Sequence, residues 1–272
     1  MRAASENSFK AGLEVLLQAM RHDDVNAMAI AENLFGFSDV LRDSARLSHA
    51  LTDPGRSVED KRQLAHDLLA GGVESQTIAV VQELASGRWS EPHDLDVAVE
   101  NLGNEAVFVA AEREGKLKQV EQELFAVHNF LAENRELRIN LSDLGVGTAH
   151  DRAHFAARFF GDSISPYTSR LVRRSVRLSI HGRLLSSLRD LTLQAANRQG
   201  LLFARVTSAK PMTDQQLERL EKILEDRYKN PIALNAVVDP EILGGLHVQV
   251  GNDGINATVS SNLAKAKREL VR

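Results

Sequence analysis

The chain has 272 residues, 43% hydrophobic and 26% charged, enough apolar material for two domains or somewhat more. It contains no cysteine, which excludes disulfide staples and thiolate metal sites. The net charge of −4 is unevenly spread: −8 over residues 1–104, +3 over 105–198 and +1 over 199–272. An acidic first third repels phosphate backbones and suits a basic or amphipathic partner helix.

From Ser5 to about Arg198 the apolar residues recur at helical spacing, as in Phe9, Leu13, Leu16 and Leu17 and again in Leu34, Phe37, Leu41 and Ala45. Asp53-Pro54-Gly55 breaks one helix, Ser57 with Asp60 opens the next, and Gly71-Gly72 closes it. No apolar run approaches the ~18–20 residues of a membrane span, and Met1–Ser8 carries no apolar signal core. The expectation is a cytoplasmic protein that reaches any membrane through a partner.

An internal repeat lies at an offset of 90. Leu41, Leu47, Leu51 and Asp53 recur as Leu131, Leu137, Leu141 and Asp143, and Arg62, Leu69 and Gly71 as Arg152, Phe159 and Gly161. Gly87-Arg88 resembles Gly182-Arg183, which implies a small insertion in the second copy.

After Arg198 the period changes to two. Leu201–Ser208 reads as a strand, Thr213-Asp214-Gln215-Gln216 as a capping box opening a helix, and Ile232–Val238, Leu246–Val250 and Ile255–Val259 as three more strands. Gly251-Asn252-Asp253-Gly254 is a hairpin turn, and a last helix is predicted over Ser261–Leu270. The fold class is mainly α: two helical bundles, over 1–104 and 105–198, then a small α/β domain of βαβββα type over 199–272.

Catalytic chemistry is not legible. The glycines lack the Lys-Ser/Thr of a P-loop, no Gly-x-Gly-x-x-Gly joins a strand to a helix, and no nucleophile, base and orienting group stand together. His150 and His154 share a helical face, but without the Glu of a His-Glu-x-x-His site and with Arg152 between them they read as a solvated pair. No metal or cofactor is expected. The candidate sites are surfaces. Arg170, Arg173, Arg174 and Arg177 fall at i, i+3, i+4 and i+7, either an exposed face paired with local acids or a docking stripe. Net negative charge and few aromatics weigh against nucleic acid as its partner. Asp239 and Pro240 form a turn, and Gly244, Gly245 and Gly251 read as structural glycines around a strand. Trp89 reads as a packing anchor.

Two segments resemble the ATP synthase delta (OSCP) subunit family. Val206–Thr213 is similar to its strand and helix start, and Val238-Asp239-Pro240 with Gly244-Gly245 and a strand ending at Gly251 is similar to its most specific motif. Ile255-Asn256-Ala257-Thr258-Val259 departs from it, lacking the family's acid and glycine. Glu105–Gly115 resembles the first helix of the family's single bundle, so residues 1–104 form an extra copy, as in extended members of some high-GC Gram-positive bacteria. The resemblance implies a non-catalytic stator connector on the cytoplasmic face of the cell membrane, with the alpha subunits' N-terminal helix, the beta subunits and the b-type stalk subunit as partners. It also implies a groove for an amphipathic headpiece helix, for which Phe9, Leu13, Leu16, Val80, Val81 and Leu84 are the candidates, with bundle core as their alternative role. A stand-alone helical adaptor or nucleic-acid-linked interaction protein is the rival reading.

Overall fold

The computed structural model describes residues 2–22, 24–142, 145, 147–179, 182–240, 245–250 and 253–258. Gly244, Gly251, Asp143 and the expected helix over Ser261–Leu270 lie outside the described residues. The chain divides into two compact units, 1–116 and 117–272.

The first unit holds α1 (Ala3–Ala19), α2 (Ala27–Asp43), α3 (Ala45–Thr52), α4 (Val58–Leu69), α5 (Ser75–Ser86) and α6 (His93–Arg113). Local chemistry sets their ends. Asn26 caps α2, its Oδ1 accepting from Ala29 N at 3.0 Å. Ser44 stops α2 and caps α3 through a 3.3 Å bond from Leu47 N, so Ala45 begins a new helix instead of extending the Leu34–Leu41 stripe. Ser57 caps α4 through Asp60 N, and Gly71, at φ +78°, turns the chain after it. The dominant packing is α2 against α6, with α1 laid on α5 and α6. Gly12 permits that approach, since a Cβ there would collide with the Leu84 side chain. Gly103 likewise leaves room for the Phe35 ring, 2.5 Å from where a Cβ would sit. Between α2 and α6 lies a polar network. Arg42 Nε donates to Asp96 Oδ2 at 3.1 Å, and Ser38 Oγ to Glu100 Oε2 at 3.0 Å.

The boundary expected at 104/105 falls inside α6, which runs on through Gly103 and Asn104 and is buried almost continuously from Leu95 to Ala111. The helix stops where Gly115 takes φ +68°, with Gly115 N bonded to Glu112 O and Lys116 N to Ala111 O.

The second unit repeats the plan with α7 (Leu117–Glu133), α8 (Arg135–Ser142), α9 (Ala149–Phe160), α10 (Pro166–Leu178) and α11 (Leu184–Arg198). The helices α7 and α8 match α2 and α3 at the offset of 90 seen in the sequence. The turn before α9 holds one residue more than the turn before α4, so α9 and α10 match α4 and α5 at 91. That extra residue corrects three of the sequence pairings. Arg152 is the counterpart of Lys61, not Arg62, and both are buried bases capturing a carbonyl: Lys61 Nζ donates to Gly87 O at 3.3 Å, and Arg152 to Gly147 O at 3.1 Å. Phe159 matches Leu68 in place of Leu69, and Gly161 matches Ala70 in place of Gly71. In α6 and α11 the buried residues Leu95, Val99, Leu102 and Ala106 correspond to Leu184, Leu188, Leu191 and Ala195, an offset of 89. Gly182-Arg183 therefore leads directly into α11 and is not equivalent to Gly87-Arg88, which follows α5; the insertion sits ahead of α9 instead.

The α/β part of this unit comprises β1 (Leu202–Ser208), α12 (Asp214–Tyr228), β2 (Ile232–Val238), β3 (Gly245–Val250) and β4 (Asp253–Thr258). Strand order is β2-β1-β3-β4, with β1 and β2 parallel across α12 and the other pairs antiparallel. Thr213 and Gln216 form the expected reciprocal capping box. Alternation gives the sheet two working faces. Ala204, Val206, Ile232, Val248 and Val250 pack with Leu224 of α12. Residues of the other parity meet the helices: Ala233 packs with Ala196, Phe125 and Leu193, and Asn235 Nδ2 donates to Glu121 Oε1 of α7 at 2.6 Å.

Glu121 is 3% exposed, and burial raises its carboxyl above the ordinary range, against the lowering influence of the Asn235 bond and Lys118. The folded state thus prefers the neutral acid. Its contribution to stability is complete below the unfolded pKa and is lost as pH rises through the folded one. Glu121→Gln keeps an acceptor for Asn235 and should flatten that decline, leaving the variant more stable than wild type at pH 8. Asn235→Ala, which strands the carboxyl, should cost about 1–3 kcal/mol. Urea unfolding followed by far-UV circular dichroism between pH 4 and 8 checks both.

Candidate docking surfaces

Of the six apolar candidates in the first unit, four are core. Leu16, Val80, Val81 and Leu84 are each at most 1% exposed, because α1 packs on α5 at the close approach allowed by Gly12. Phe9 and Leu13 are half-buried on α1 and keep an accessible edge. Trp89 is half-buried as an anchor, its Nε1 donating to Leu84 O at 2.9 Å.

The basic stripe of α10 is split. Arg173 and Arg177 are exposed and Arg170 is half-buried, while Arg174 is 2% exposed among Leu171, Val172 and Ser175. The helix start is fixed by Ser165, whose Oγ accepts from Thr168 N at 3.3 Å, and by Glu123 of α7. One carboxylate oxygen of Glu123 accepts from Ser165 N, Ser165 Oγ and Thr168 Oγ1 at 2.9, 2.7 and 2.5 Å. Burial pushes the Glu123 pKa upward, but these bonds outweigh it and hold the acid ionised below its ordinary range.

Asp239 and Pro240 sit in the expected turn, with Asp239 N bonded to Ser208 O at 2.8 Å, and Gly245 opens β3 at φ +87°. His150 and His154 are both exposed on α9, and no grouping that could hold a metal occurs among the described residues.

One surface was not anticipated. Phe130 of α7 and Phe155 and Phe159 of α9 form an exposed aromatic cluster on buried Phe160, with ring centroids 4.9–6.0 Å apart. Phe130 and Phe159 are 40% and 47% exposed; their counterparts in the first unit, Val40 and Leu68, are 49% and 45% exposed. The signal was present as apolar residues left over once each helix had filled its inward stripe.

Two successive helical bundles, the second joined to a small α/β sheet, with apolar and basic patches as their distinctive surfaces, define a helical scaffold protein that works by contact. The sequence profile described as "ATP synthase delta (OSCP) subunit" matches residues 104–270. Relatives named ATP synthase subunit delta run the full length. Those of Beutenbergia cavernae and Streptomyces griseus are each 36% identical over 270 residues, covering 99% of both chains. That of Kineococcus radiotolerans is 37% identical over 263 residues, covering 97% of this chain and 95% of its own. A chain in the Toxoplasma gondii mitochondrial ATP synthase hexamer is 18% identical, with a TM-score of 0.40 over 62% of this chain and 95% of that one. The chain belongs to the ATP synthase delta (OSCP) subunit family. Its role is that of a structural, non-catalytic subunit, a peripheral part of the membrane-bound ATP synthase. No helix among the described residues is long and apolar enough to cross a membrane.

The split stripe separates surface from core experimentally. Arg173→Ala and Arg177→Ala should leave thermal stability within about 0.5 kcal/mol of wild type. Arg174→Ala removes a buried stem and its packing and should cost about 1–3 kcal/mol. Calorimetric Tm shifts of the three variants make the comparison.

Proposed function

We propose that the chain bridges the catalytic headpiece and the peripheral stalk on the cytoplasmic face of the membrane, and that both bundles grip amphipathic helices. The N-terminal helices of the headpiece alpha subunits are the occupants on the bundle side, beside the beta subunits, and the b-type stalk subunit is the occupant on the α/β side. In this reading the chain has three working parts. The first bundle ends with α6, the second bundle is α7–α11, and the α/β part follows Arg198. The boundary near 104/105 then describes a shared element, since α6 both closes the first bundle and carries Glu105–Arg113 of the segment that resembles the family's first helix.

The observation that carries the proposal is the paired exposure of Val40 with Leu68 and of Phe130 with Phe159 at equivalent positions of two copies. Apolar side chains kept outside at the same place twice fit a surface selected for contact. Helix-in-groove recognition uses such anchors, and truncating a well-packed aromatic anchor typically costs 2 kcal/mol or more. In the first unit, Phe9 and Leu13 are the accessible members of the original set, and in the second, Arg173 and Arg177 add charge for an acidic partner face.

The test is a pair of double variants, Phe130→Glu with Phe159→Glu and Val40→Glu with Leu68→Glu, in the full chain. Each should fold, because all four side chains are exposed. Surface plasmon resonance against alpha-subunit N-terminal peptides and against the soluble stalk domain should show at least a ~30-fold loss toward one partner for each pair. Unchanged binding to both partners by both double variants would remove these patches from the docking surface.

A further inference from the structure

The polar network between α2 and α6 has a counterpart position in the second bundle, and there its charges are inverted. Ser38 corresponds to His128 and Arg42 to Ala132 at the offset of 90. Asp96 and Glu100 correspond to Leu185 and Arg189 at the offset of 89 that superposes the buried rows of α6 and α11. The first bundle thus carries a cation with two carboxylates at this place, whereas the second carries a cation and an imidazole and no acid.

A cavity opens at that spot in the second unit, lined by Phe125 and His128 of α7, Arg189 and Thr192 of α11, Arg205 of β1 and Gln249 of β3. Arg205 and Gln249 are register partners across the β1–β3 pair, so the sheet presents them side by side. The internal room is about 20 Å³, enough for one oxygen-sized group. No carboxylate lines it among the described residues. The acids closest in sequence are differently engaged. On α7, Glu123 accepts from Ser165 and Thr168 and Glu121 accepts from Asn235, while Asp190 neighbours Arg189 without lining the cavity. His247 lies two residues from Gln249 on β3 and does not line it either.

The geometry points to an oxyanion-binding site: one oxygen of a carboxylate or phosphate group enters between the Arg189 and Arg205 guanidiniums, with His128 and Gln249 as further donors. The chemistry fits the donors. Two guanidiniums present planar forks suited to an oxyanion, and an imidazole that gains a proton adds a third positive group. The like charges of the lining act on one another. Burial, and then the like charges of Arg205 and Arg189, hold His128 below its ordinary range, partly opposed by its contact with Asn129. Burial and then Arg189 lower Arg205 in the same way. An entering anion relieves both. The first bundle has no use for such a ligand, since Glu100 and Asp96 already supply the negative charge.

The experiment follows the His128 imidazole by NMR in the full chain, assigned by the resonance lost in His128→Asn. Formate and inorganic phosphate are the probes, added at constant ionic strength against sodium chloride. Either anion should raise the His128 titration midpoint saturably, by about one pH unit. A response to formate alone identifies the group as a carboxylate, such as an acidic side chain of a partner. A response to phosphate alone identifies a phosphate group. Arg205→Met should abolish the saturable response. Arg189→Glu, which restores the charge found at Glu100, should raise the midpoint with no anion added and leave nothing further to titrate. Arg189 is exposed, so this variant is expected to fold and carries the test if Arg205→Met does not. The site is overturned if neither anion acts differently from chloride in the wild type, or if the saturable response persists in Arg189→Glu.

Discussion

The pairing of one long helix with another, α2 with α6 and α7 with α11, is the contact on which each half of the chain is built. Its apolar rows are nearly interchangeable: Leu34, Leu41, Leu95 and Val99 in one copy, Leu124, Leu131, Leu184 and Leu188 in the other, all essentially inaccessible. Burying rows of leucine is a non-directional way to hold two helices, and it leaves the few polar positions in the seam free to diverge. Where the first copy places Arg42 with Asp96 and Glu100, it closes an ion-pair network. With its carboxylates buried and its guanidinium reaching solvent, such a pair adds little net stability, but removing Arg42 would leave two buried acids without their cation. The second copy instead turns the same seam toward the sheet, through Glu121, Phe125 and His128 of α7.

That turn explains why the sheet has two buried faces. A four-stranded sheet covered only by α12 would leave Ala233 and Asn235 in water; packing α7 and α11 on the other face buries both. Asn235 inside an otherwise apolar contact is tolerable because Glu121 supplies its acceptor. The hydrogen bond therefore fixes which part of α7 meets which strand more than it adds energy. For a subunit whose task is to stay attached under load, positional fixing of this kind matters more than a reactive group, and the fold has its polar investment in caps and seams. Glu123 gathering three donors at the start of α10 is another instance.

How much of this could be read from residues alone depended on whether the controlling feature was local. The change of period after Arg198, the Thr213–Gln216 capping box and the breaks at Ser57 and Gly71 are local, and the structure has them where the sequence put them. The end of α6 is local too, but it lies beyond the change in composition. Residue 104 lies within a helix that reads straight through, and the stop depends on the positive φ of Gly115 eleven residues later. The repeat register slipped by one after Asp53 and Asp143 because a single extra loop residue is invisible to matching at a fixed offset. The arginines at 170, 173, 174 and 177 follow helical spacing, yet the stripe is wide enough that Arg174 rotates into the bundle beside Leu171. Periodicity shows that residues share a face; it cannot show how much of that face the next helix covers.

The aromatic cluster on α7 and α9 is the reverse case. Phe155, Phe159 and Phe160 crowd one short helix, but α9 has only one row to bury, and Ala153, Ala156 and Phe160 fill it. The other two rings have nowhere inside to go. Duplication supplies the comparison that a single bundle lacks. A random surface substitution would not place an apolar residue outside at the same position in both copies while the buried seams drifted in charge. The exterior and the interior of the copies thus diverge differently: apolar residues stay outside at matching positions in both, while the seam residues change where the second copy meets the sheet.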